Sequence, residues 1–132
     1  MATKQNIVVT QRRHVAKINF ANESATYTFG LTGSAFDAIG GANGAPFIAG
    51  ITAATPSLSK VLWTANGATF GYHLKFGPDT SNGITAMSLY GANGEFSFER
   101  LTIKNNAPVP DGNFLIIPTA TVTGTVILEF VL

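Results

Sequence analysis

The chain has 132 residues, a length suited to one domain whose core is large enough to fold without staples. It contains no cysteine, which excludes a disulfide framework, a thiolate metal site and a cysteine nucleophile, and only 11% of its residues are charged, against about 25% in ordinary soluble domains. The formal net charge of +1 supplies no field for nucleic acid, and the Thr, Asn, Ser and Gly that fill the polar positions are desolvated more cheaply than charges when a partner docks.

The polar opening, Met1 to Asn6, leads into no apolar h-region, so no targeting segment is expected. The longest apolar runs, 114–117 and 126–128, fall far short of the ~20 residues of a membrane-spanning helix, and no membrane partner is expected. Residues 1–12 read as an extended N-terminal arm and 13–132 as a single β-sandwich domain. No acid precedes Glu23, so Lys4, Arg12, Arg13, His14 and Lys17 are the one local concentration of basic groups. They are too few, and too poor in aromatic neighbours, for a firm hold on nucleic acid. The arm is expected to dock as an extended strand against another protein, with Lys4, Arg12 and Arg13 as partner-binding residues.

Strands are expected at 7–10 and 15–20, then at 26–31, where Tyr27, Phe29 and Leu31 alternate with Thr26, Thr28 and Gly30. Residues 33–45 are rich in Gly and Ala, and Ser34 is placed to cap one short helix running to Ile39, although an irregular crossover suits the composition better. No Walker or dinucleotide spacing accompanies these glycines. Further strands are expected at 47–51 and 58–64, where Trp63 closes the apolar run from Val61 and reads as a core or interface anchor, the fourth partner-binding candidate. In 69–76 the alternation is cleanest, with Phe70, Tyr72, Leu74 and Phe76 opposite Thr69, Gly71, His73 and Lys75.

The next strands are 84–89 and 95–99, the latter with Phe96 and Phe98 inside. The rhythm slips at Glu99 and Arg100, which predicts a bulge before Leu101 and Ile103. Strands at 113–118 and 121–132 follow, and the apolar ending Glu129-Phe-Val-Leu132 needs cover from its own sheet or a neighbour. Ala-Asn-Gly at 42–44, 65–67 and 92–94, and Asn82-Gly83, read as turns, while 105–112 reads as a long exposed loop. The predicted class is therefore all-β, an antiparallel β-sandwich or jelly-roll-like barrel with at most one short helix.

Catalytic chemistry is not visible in the pattern. His14 and His73 each fall on the polar side of an expected strand and read as surface residues without metal-binding companions. Seven acidic residues are scattered singly, and no serine sits in a G-x-S-x-G elbow. The sequence predicts no enzyme, no cofactor and no metal.

Three stretches carry a resemblance: Gln11-Arg-Arg-His-Val-Ala-Lys-Ile-Asn-Phe20, the run from Ile51 to Trp63 leading into Asn66-Gly67, and Pro118-Thr-Ala-Thr-Val-Thr-Gly-Thr125. Together they resemble the small virion structural proteins of tailed bacteriophages, capsid decoration or cement proteins above all, in composition, length and layout. The resemblance implies a β-sandwich or jelly-roll module, often a homo-oligomer and typically a trimer. It would bind the major capsid protein or other virion proteins at the capsid surface after assembly in the host cytoplasm. A tail, neck or fibre component would share this composition. A carbohydrate-binding β-sandwich is the alternative from another class, and it predicts exposed aromatics around Trp63, Tyr72 or Tyr90.

Overall fold

The computed structural model describes residues 2–9, 13–30, 57–67, 69–77, 83–98, 102–103 and 113–131. Among them are no helix and nine strands: β1 (Ala2–Val9), β2 (Arg13–Glu23), β3 (Tyr27–Gly30), β4 (Ser57–Thr64), β5 (Gly71–Phe76), β6 (Ile84–Tyr90), β7 (Asn93–Ser97), β8 (Asn113–Pro118) and β9 (Val122–Val131). They form a five-stranded sheet in the order β1-β2-β9-β4-β7 and a four-stranded sheet in the order β3-β8-β5-β6, antiparallel throughout. Among the described residues neither sheet closes on itself, and the two antiparallel sheets make a β-sandwich and not a closed barrel.

Alternation explains why these strands stack as two layers. In β5, Tyr72, Leu74 and Phe76 are fully buried while His73 and Lys75 are only partly buried on the opposite side. In β9, Val122, Val126, Leu128 and Phe130 point inward by the same rule. Phenylalanines join the layers: Phe114 of β8 meets Phe130 of β9 edge to face with centroids 5.0 Å apart, and Phe20 of β2 lies 5.2 Å from Tyr72. The Tyr72 hydroxyl donates to the Thr64 carbonyl at 2.8 Å, a polar bolt from one sheet to the other. Burial pushes this phenol up to about 12.

The apolar C-terminal strand is covered by its own sheet, since β9 lies between β2 and β4. Residues 2–9, within the segment expected as an arm, lie in register against β2, with Ala2 opposite Phe20 and Lys4 opposite Ile18. The Asn-Gly of 93–94 does not make the turn expected of it. The chain turns at Gly91, whose φ of 106° belongs to the left-handed region, and Asn93 and Gly94 already belong to β7. Gly94 is needed for a different reason: a Cβ there would strike the Trp63 indole. The expected helix at 34–39, the strand at 47–51, the bulge at 99–100, the turn at 42–44 and the loop at 105–112 lie outside the described residues.

Candidate functional site

Residues paired across an antiparallel ladder share a face, so the registers lay out the outer side of the five-stranded sheet. One row holds Asn93, Thr64, Thr125, Asn19 and Thr3, uncharged residues crossing all five strands. Its members are fixed to one another: the Thr125 amide donates to Thr64 Oγ1 at 3.0 Å, and the Thr125 hydroxyl donates to Asn19 Oδ1 at 2.9 Å. The next row runs Glu95, Leu62, Ile127, Lys17 and Gln5.

A third row centres on Glu129. Lys60 and Val15 flank Glu129, and Arg13 Nη2 reaches Glu129 Oε2 at 2.7 Å, with Nε at 2.8 Å. Ser59 Oγ donates to Glu129 Oε1 at 2.8 Å from the bulge that the shift between Leu58 and Lys60 creates in β4. Partial burial raises the Glu129 carboxyl, but the Ser59 and Arg13 hydrogen bonds and the charges of Arg13 and Lys60 together hold it below its ordinary value.

Between β7, β4 and β9 this face hollows into a groove of about 450 Å³. Leu62, Thr64, Asn93, Glu95, Thr125 and Ile127 line it, with Trp63 and Gly94 completing the wall. Lys60 Nζ stands 3.4 Å from Glu95 Oε1 beside it, so the one carboxylate of the lining is balanced.

The flank where β6 and β7 are the outermost strands is apolar. Trp63, Phe96 and Phe98 stack as near-parallel rings, with centroids 5.7 Å and 6.3 Å apart. Phe96 faces the core side opposite Val61 yet is 46% exposed, contrary to the expectation that it lies inside. Its strand is an edge, so no neighbouring strand among the described residues closes over the ring. On the edge strand β6, Ile84 is exposed opposite Phe76 in register, while Tyr90 is exposed on the outer face of the smaller sheet, its ring 5.8 Å from His73.

The partner-binding candidates scatter. Trp63 is buried in the core, its indole N–H without a hydrogen-bond acceptor among the described residues. Arg13 is half-exposed and committed to Glu129. Lys4 stands in the edge strand β1, and Arg12 lies outside the described residues. His14, expected at the surface, is fully buried opposite Phe130, because it shares the side of Ala16 and Ile18. His73 is on the outer face, where Nδ1 meets Ser88 Oγ at 2.8 Å. Of the aromatics a sugar-binding module was expected to expose, Tyr72 and Trp63 are buried and Tyr90 alone is exposed. Sequence reasoning missed the groove, because Leu62, Thr125 and Asn93 come together only through the pairing of β4 with β9 and β7.

Among the described residues no three His, Cys, Asp or Glu side chains gather to hold a metal ion, and no helix is long and apolar enough to cross a membrane. No protein-family model matches the chain, and no curated protein matches it in sequence.

Proposed function

We propose that this protein is a non-enzymatic structural component of a virion, a capsid decoration or cement protein that binds the head shell and ties its subunits together. The observation that carries the reading is the apolar flank of the edge strands: Phe96 of β7 and Ile84 of β6 are exposed on strands that have a single neighbour among the described residues, on a chain that otherwise spends few charges on staying apart from other proteins. Such a flank gains by burial against a neighbour. Repetition on a lattice multiplies modest contacts into tight retention, so no single large site is required. The resemblance of the 11–20, 51–67 and 118–125 stretches to decoration proteins supports the same assignment, with the major capsid protein as the partner and a homo-trimer as the bound form.

The test is to add the purified protein back to heads lacking it and count copies per particle by mass and electron microscopy. Occupancy at a number fixed by the icosahedral lattice is the expected result. Absence from heads, or attachment confined to the neck, tail or fibres, would overturn the capsid assignment.

A further inference from the structure

We propose that the groove on the outer face of the five-stranded sheet is a binding site for a neutral saccharide, a role separate from docking through the β6–β7 flank. At about 450 Å³ it is within the range of small-ligand sites, and three paired strands hold its walls in place. The lining has the chemistry of a polyol receptor. Thr64 Oγ1 accepts from the Thr125 amide, which leaves its own proton to donate outward. The Thr125 hydroxyl spends its proton on Asn19 Oδ1, which leaves its lone pairs to accept. Asn93 adds an amide with both roles, and Glu95 adds carboxylate oxygens suited to paired hydroxyls. Leu62 and Ile127 lie side by side in register as the aliphatic surface on which the C–H face of a sugar ring packs.

Charge selects the class of ligand. Lys60 balances Glu95 at 3.4 Å, and Lys17, beside Ile127 on β2, stands outside the lining, so the lining itself offers neither the cluster of cations an acidic ligand needs nor the acidic cluster a cation needs. A neutral, hydroxyl-rich molecule is what remains. Trp63 and Phe96 do not serve as its stacking platform, because their registers with Val126 and Val61 set them on the core side of the sheet.

Amide spectra of the ¹⁵N-labelled full chain decide the matter. The probes are neutral trisaccharides of glucose, mannose, galactose and N-acetylglucosamine, with sialyllactose and a heparin disaccharide as charged controls. At least one neutral probe is expected to give saturable shifts at residues 62, 64, 93, 95, 125 and 127. Asn93→Ala and Thr64→Val are each expected to weaken that binding by about tenfold while leaving core resonances in place. No saturable shift with any neutral sugar, shifts produced by the charged controls alone, shifts centred on His73 and Tyr90, or full affinity in Asn93→Ala would each overturn the site. Attachment of Asn93→Ala to shells at wild-type occupancy would support the separation of the two roles, and failure of wild-type shell binding with sugar binding intact would sink the capsid reading alone.

Discussion

Gly124 shows how one absent methyl group positions a core. A Cβ on this residue would meet the Thr64 carbonyl oxygen and, at 2.7 Å, the Tyr72 hydroxyl, the two atoms that make the hydrogen bond between the sheets. Neither a backbone carbonyl nor a buried phenol can step aside cheaply. Gly124→Ala is therefore expected to cost about 1–3 kcal/mol, read from the urea midpoint, as overpacking of a closed site does. Glu129 makes a different kind of residue-level claim. Its folded carboxyl titrates below the ordinary 4.5, so its contribution to stability is intact above that value and is lost as pH falls through the lower folded value. Urea midpoints recorded as the pH is lowered from neutrality should drop less below 4.5 in Glu129→Gln than in the parent. At neutral pH that variant should be about 1 kcal/mol less stable, since Arg13 is half-exposed and water already screens the pair.

At the level of the element, position in the sheet decides what each strand contributes. β9 is flanked on both sides, by β2 and β4, and carries four core residues, whereas β1 and β7 each have a single neighbour among the described strands. Native-state hydrogen exchange should find the β9 amides open only with global unfolding, and those of β1 and β7 open in lower-energy fraying steps. Equal protection of β1 and β9 would contradict this ranking.

The same distinction separates what was legible in the sequence from what was not. The two-residue rhythm located β5 and the burial of Tyr72, Leu74 and Phe76, because a strand with one wet face leaves its pattern in the chain. The rhythm of 95–99 reads the same way, yet Phe96 is exposed, since alternation encodes the side a residue takes and says nothing of whether its strand is an edge. His14 could have been placed: counting back by two from Ile18 through Ala16 reaches it, and its polar type concealed that parity. The Arg13–Glu129 pair and the groove were beyond reach, because their residues meet through strand pairings between distant stretches of the chain, 116 positions apart for the ion pair.

On the scale of the whole molecule, the layers divide the labour. The interior is sealed by aromatic contacts across the sandwich, the outer face of the larger sheet carries a polar row pinned by its own hydrogen bonds, and the β6–β7 flank leaves the Phe96 ring in water. A flank of this sort costs solubility and contributes little to folding, since a half-exposed ring forgoes much of its transfer free energy. Phe96→Ser should therefore lower stability only modestly, by about 1 kcal/mol from the lost stacking on Trp63 and Phe98, while sharply reducing retention on shells. Ile84→Ser is the companion variant, because it removes exposed apolar surface without touching the aromatic row. If both variants fill shells to the wild-type copy number while their midpoints move as expected, the flank is a tolerated gap in the sandwich, and docking must run through another surface.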